Sequence, residues 1–419
     1  MNHKQYIAIA LILSAFGSTV FPLGMSSAYA EGETAKPADT VSAEVAKPLQ
    51  AAQELYKQKK YAEALAALNE ASALKKTPYE AYVIDRTRAA IATASGDDKL
   101  KLESYQAVVA SGRLAADEQL KFVQAISHLY YEKADYAQAI AWTERFLKEG
   151  GVDPQAHELL VQSYYLSNDL PRAAKELQID LDAAEKAGTP PTDKQLHILI
   201  SIATKQNDNA GYVRALEKFV TYYPKKEYWA DLLYRLQTRP DFSSRLTLDV
   251  YRLKFSLGLL SKPAEYVDMA ELAILAGFPA EAKKVMEAGY KSGVLGAGAD
   301  AEKQKSVLNS ATRKAADDLK TIAQTEADVR KNKDGSGLAN LGYAYVTMNQ
   351  FDKGLALMEQ GVKAPGSKRA EEAKLHLATA YALAGRTQEA IAAFKTVQGS
   401  DGSADLAHYW VLQLTHPMP

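Results

Sequence analysis

The sequence predicts an all-α chain of stacked antiparallel helical hairpins, and three observations carry that prediction. Two consecutive stretches within residues 120–187 match in register at a step of 34 residues: Ile126 with Leu160, Tyr130–Tyr131 with Tyr164–Tyr165, and Ala139 with Ala173. Within each stretch the packing residues recur at i, i+3, i+4 and i+7. That spacing puts Val123, Ile126, Ser127 and Tyr130 on one helical face, and His157, Leu160, Val161 and Tyr164 on its counterpart. Alternating apolar and polar runs are almost absent, so no sheet is expected.

The order of elements follows from the same patterns. Residues 1–30 stand apart: Lys4 precedes the apolar run Tyr6–Phe16, and Ala28-Tyr29-Ala30 is a small-x-small cleavage site. This reads as a secretory signal peptide cleaved after Ala30. The apolar run is short for a membrane span of about 20 residues, so no integral membrane segment is expected after cleavage. Residues 31–48 read as a flexible leader, polar and carrying Pro37. An N-terminal array spans 49–188. It begins with Ala51, Ala52 and Leu55, turns before Tyr61 and continues through Ala64, Leu68 and Ala71. A weaker unit turns at Gly96-Asp97-Asp98. The matched pair follows, with Ala139 and Ala173 expected where helices cross, because a larger side chain there would overpack the contact by about 1–3 kcal/mol.

Gly188-Thr189-Pro190-Pro191-Thr192 breaks the phase, and Thr192 or Asp193 can cap the next helix. Central, degenerate hairpins occupy 189–262, one opening at Trp229, turning at Arg239-Pro240-Asp241 and running on through Leu248, Tyr251 and Leu260. A C-terminal array fills 263–414. It turns at Gly277-Phe278-Pro279, runs through a charged helical stretch of weak phase at 300–332, and repeats around Tyr345 and Tyr381. Asp405–Leu414 reads as a lone helix capping the last exposed face. The expected total is roughly ten hairpins plus that cap.

The step, and the small, large and aromatic residues at matching positions, resemble the tetratricopeptide repeat family; Leu341-Gly342 with Tyr345 is a further match. One departure is visible, since Phe146 corresponds to Asp180. The resemblance implies a right-handed superhelical solenoid that binds a protein or peptide in its concave groove. A narrower likeness, over Tyr228–Leu295, is to bacterial periplasmic repeat proteins associated with TonB-type energy transduction.

Composition narrows the function. A formal charge of −1 with no basic stripe argues against nucleic acid. The chain has no cysteine, which excludes thiol catalysis, thiolate metal sites, disulfides and a lipidated cysteine. His128, His157, His197, His376, His408 and His416 are dispersed, with no pair at the i, i+4 spacing that a shared metal needs. Gly293–Gly298 lacks the strand-before, Lys-Ser-after context of a phosphate loop and reads as a connector. No catalytic residue, cofactor site or metal site is expected.

What remains is a second stripe on the first helices, beside the packing face. Lys121, Gln124, His128 and Tyr131 lie at i, i+3, i+7 and i+10, and Gln155, Glu158, Gln162 and Tyr165 repeat those steps. Tyrosine gives large contact area at low entropy cost, so these eight are the candidate partner-binding residues. The competing reading is that both tyrosines close the gap between neighbouring first helices. The resemblance also implies where a carboxylate clamp would sit, but only Lys121 and Asn340 approach its Lys, Asn and Arg set. The expected protein is an exported, periplasmic, non-enzymatic adaptor, accessory to an envelope complex; the alternative is a polymer-export accessory holding a saccharide on the groove tyrosines.

Overall fold

The computed structural model of the chain describes residues 39–331, 334–364 and 369–418. The signal peptide and the first part of the leader lie outside the described residues. Within them the protein is all-α: twenty α-helices and one 3-10 turn, with no strand. The chain divides into two units between Asp182 and Ala183.

Unit 1 holds α1 (Ala43–Lys57), α2 (Tyr61–Ala73), α3 (Pro78–Ser95), α4 (Asp98–Ala110), α5 (Ala116–Glu132), α6 (Tyr136–Lys148), α7 (Pro154–Leu166) and most of α8 (Leu170–Lys186). Unit 2 continues with α9 (Asp193–Lys205), α10 (Asn209–Tyr222), α11 (Lys226–Gln237), α12 (Thr247–Ser256), α13 (Pro263–Leu275) and α14 (Pro279–Lys291). It ends with α15 (Ala301–Lys331), α16 (Gly335–Thr347), α17 (Phe351–Lys363), α18 (Ala370–Leu383), α19 (Thr387–Phe394) and α20 (Ser403–Thr415). Among the described residues these make nine hairpins and two single helices, α15 and α20, where about ten hairpins were expected.

Eight of the nine hairpins share one turn. A residue in the left-handed region stands two places before the second helix: Lys59, Gly96, Ala134, Asn168, Asn207, Gly277, Asn349 and Gly385. The next N–H then reaches back to a carbonyl five residues earlier, as in Asp135 to Tyr130 (3.0 Å), Asp169 to Tyr164 (2.8 Å) and Arg386 to Tyr381 (2.9 Å). This closes the first helix on itself and reverses the chain. Glycine and asparagine suit that conformation; Lys59 and Ala134 adopt it against a steric cost of about 1–2 kcal/mol.

In four of the hairpins a tyrosine of the first helix ties it to the helix before. Tyr130 accepts from Gln106 on α4 at 2.8 Å, and Tyr164 donates to Glu144 on α6 at 2.6 Å. Tyr345 donates to Glu326 on α15 at 3.0 Å, and Tyr381 to Glu359 on α17 at 2.7 Å. Burial, then the carboxylate, pushes the phenols of Tyr164 and Tyr381 up to about 12. Ala139 and Ala173 are fully buried, as helix crossings require. Phe146 is buried too, while its counterpart Asp180 is half-buried and its carboxyl is raised by that burial.

Three expectations need correction. The leader is shorter than 31–48, because α1 starts at Ala43: Val45 is fully buried, and Glu80 accepts from the backbone N–H (2.8 Å) and hydroxyl (2.6 Å) of Ser42. The helix through Leu248 and Tyr251 ends at Ser256, so Leu260 is buried from a loop instead. The last helix does more than cap an end. Leu406, Ala407, Tyr409 and Trp410 of α20 share one core with Leu216, Trp229, Leu232 and Val250 of α10, α11 and α12. Ser243 N–H donates to Asp401 O at 2.9 Å, and Arg239 pairs with Asp405 at 2.8 Å. Unit 2 therefore closes on itself between residues 166 positions apart. The weak-phase stretch is one continuous helix of 31 residues, since 301–331 holds no glycine or proline to turn it. Gln304, Ala311 and Ile322 mark its buried face.

Candidate functional site

Helices α5 and α7 are the first helices of adjacent hairpins, and the packing face of each is buried: Val123, Ile126 and Ser127 on α5; Leu160, Val161 and Tyr164 on α7. The second stripe is turned outward from that core. Lys121, Gln155 and Glu158 are exposed, while Gln124, His128, Tyr131, Gln162 and Tyr165 are half-buried.

Hydrogen bonds join much of the stripe into one surface. Tyr131 donates to Gln162 Oε1 at 2.7 Å across the two helices, and Gln162 Nε2 donates to Glu158 Oε1 at 2.8 Å. Tyr131 thus spans neighbouring first helices while keeping part of its ring open to solvent. Its phenol is raised by burial, then by Tyr136 and Glu158, and the Tyr136 ring meets it edge-on at 5.8 Å. Burial lowers the His128 imidazole, against the pull of Glu132 and Asp153. Gln124 donates to Asp153, a residue the sequence reading passed over. Asp153 also caps α7 by accepting from Gln155 N–H at 2.8 Å. Its signal was present: an Asp-Pro pair at 153–154 opens a helix.

The shared turn lets the same stripe be located in unit 2. Aligning Ala134 with Asn349 and Asn168 with Gly385 carries Gln124, His128 and Tyr131 onto Ala339, Tyr343 and Val346 of α16. It carries Glu158, Gln162 and Tyr165 onto Leu375, Thr379 and Ala382 of α18. There the stripe is covered: Tyr343 is 0 % exposed, Val346 and Thr379 2 % each. Helix α12 of the same chain, with Phe278 before α14, covers the middle of it, while Val346 packs on Gly354 of α17. Arg252 lies over the Tyr343 ring at 4.4 Å, and Asp249 Oδ1 meets His376 Nε2 at 3.1 Å.

Arg252 is the centre of that contact. It donates to both oxygens of Glu281 at 2.8 Å each and to Asp249 at 2.7 Å. Burial alone would raise the Asp249 carboxyl, but His376 and Arg252 carry it down to about 2. Sequence reasoning found none of this, since Glu281 and His376, which complete the cluster around the Asp249–Arg252 pair, stand 29 and more residues away. The ordinary physical use of such a network is to hold α12 in one register, because each buried charge is costly without its partner. Among the described residues no group of three His, Cys, Asp or Glu side chains is placed to hold a metal ion, and no helix is long and apolar enough to cross a membrane.

The family model for the tetratricopeptide repeat matches residues 125–186 and 340–405, so the chain carries such repeats in both units. The two matched stretches begin at positions the shared turn also aligns. Among solved structures, the chain is similar to the TPR2AB domain of yeast Sti1 in its pHSP90 complex, at 13 % identity over 71 % of this chain and 98 % of that one, with a TM-score of 0.24. It is similar to the TPR domain of P58(IPK) at 16 % identity, over 83 % and 100 %, with a TM-score of 0.21. It is similar also to yeast Tom70, at 14 % identity over 88 % and 95 %, with a TM-score of 0.20. No curated protein sequence matches the chain.

Proposed function

We propose that this protein is a non-enzymatic scaffold that binds a protein or peptide segment along the α5–α7 stripe. The observation that carries the reading is the contrast within the chain. Unit 2 lays its own α12 over the middle of the equivalent stripe, through the Asp249–His376 pair and the Arg252–Tyr343 ring contact. In unit 1 the row is polar, part-exposed and already organised by the Tyr131–Gln162–Glu158 bonds. A helix or extended segment seated there would meet a rigid aromatic body and adaptable polar groups, the combination suited to peptide recognition.

Two finer parts of the proposal concern place. Export to the periplasm rests on the apolar run Tyr6–Phe16 and the Ala28-Tyr29-Ala30 site. Service to an envelope complex, TonB-type transport included, rests on the likeness over Tyr228–Leu295. A photocrosslinking residue at Gln155 or Glu158, compared with one at Gln138 on the second helix α6, tests the binding face in cells. A discrete adduct from the first two sites alone is expected. Equal adducts from all three, or none from the stripe, contradict it. Mass spectrometry of the mature N-terminus tests export, with Glu31 as the expected first residue and an intact Met1 as the contrary result.

A further inference from the structure

Where the stripe of unit 2 passes beyond the end of α12, the covering is incomplete and a cavity of about 180 Å³ remains. Its walls include Val346 and Thr379, the positions that carry Tyr131 and Gln162 in unit 1. In unit 1 that space holds a phenol ring hydrogen-bonded to an amide. In unit 2 the shorter side chains leave it empty of protein atoms. The rest of the wall is largely apolar, with Phe255, Met269 and Trp410 prominent.

Volume and charge specify what fits. An apolar cavity of about 150 Å³ accepts benzene, so this one holds a single ring and little more. Two of its three charged residues cancel, since Arg252 and Glu281 pair bidentately with each other. The third, Lys284, is exposed and has no ionic or hydrogen-bond partner among the described residues. An ammonium on a flexible stem at such a wall favours an anionic head over a neutral or cationic one.

We infer that unit 2 binds a small free aromatic carboxylate, its ring between Val346 and Thr379 and its carboxylate on Lys284. The site differs from the α5–α7 stripe in ligand class, and the two can be tested separately.

Phenylacetate is the probe, with phenylacetamide as its neutral counterpart, titrated into the full chain by calorimetry. Binding of phenylacetate in preference to the amide is expected. Lys284→Gln should weaken it about threefold, the size of a part-exposed ion pair. Val346→Tyr with Thr379→Gln rebuilds the unit 1 arrangement and should abolish binding. Leu383→Trp, at a wall position 42 % exposed, should do the same by closing the mouth even if the buried pair of changes prevents folding. Equal binding of the amide, no binding by the wild type, or undiminished binding in Leu383→Trp overturns the inference. Tighter binding of a tripeptide ending in phenylalanine than of phenylacetate also overturns it, because the occupant would then be a chain terminus.

Discussion

The helix pairs α5–α7 and α16–α18 are built on one plan and put to different uses. Both pairs reverse through the same left-handed turn, and both staple a tyrosine to the preceding helix. They part at the stripe beside the packing face. Where unit 1 has Gln124, His128 and Glu158, unit 2 has Ala339, Tyr343 and Leu375, and only the second set is buried. A few side chains thus decide whether a repeat surface stays open or becomes the seat of another helix. The cost of the second choice is a set of buried charges that must all be paired.

The largest effect that could break this comparison is in that charge cluster. Arg252→Ala leaves Glu281 buried without its cation and Asp249 with His376 alone, and a loss of about 3–5 kcal/mol is expected. Hydrogen exchange should place the loss in α11–α20 and leave α1–α6 as protected as before. Loss spread evenly over both units would contradict the division.

Next in size is overpacking in unit 1. Ala139→Leu or Ala173→Leu should cost about 1–3 kcal/mol in denaturant melts, with the change confined to α5–α8. A smaller, pH-dependent effect sharpens the contrast from the other side. The Asp249 carboxyl is held at about 2, below its ordinary range, so its contribution is present above about pH 4 and lost as pH falls towards 2. Asp249→Asn should therefore melt lower than wild type at neutral pH and converge with it near pH 2. A gap that stays constant across that range would remove the ionic account of how α12 is held. Least of all, Ala134→Gly should stabilise unit 1, by about 0.5–1 kcal/mol, since glycine adopts the left-handed turn without a side-chain clash.

Much of this was legible in the sequence, because it is local. The 34-residue step placed Ala139, Ala173, Tyr130 and Tyr164, the family resemblance placed Tyr345 and Tyr381, and Thr192 caps α9 as its position suggested. The turns at Gly96, Gly277 and Gly385 announce themselves, whereas Lys59 and Ala134 do not, having no preference for the conformation they adopt. The candidate stripe was legible as a helical face, and its Tyr131–Gln162 bond follows from two such faces being adjacent. What escaped depends on chain closure. Arg239–Asp405 and Asp249–His376 join residues far apart in number, and neighbour-by-neighbour stacking contains no rule that would bring them together. The cavity escaped for the same reason, since it exists only where α12 stops short of the stripe it covers.

Hydroxyl-radical footprinting of the wild-type chain, read tyrosine by tyrosine by mass spectrometry, tests the central contrast most directly. Tyr131 and Tyr165, on the open stripe, are expected to oxidise readily. Tyr343, at the position equivalent to His128, is expected to be as protected as the core residue Tyr345. Oxidation of Tyr343 at the rate of Tyr131 would mean that α12 does not cover the second stripe, and the account of two surfaces put to different uses would fall.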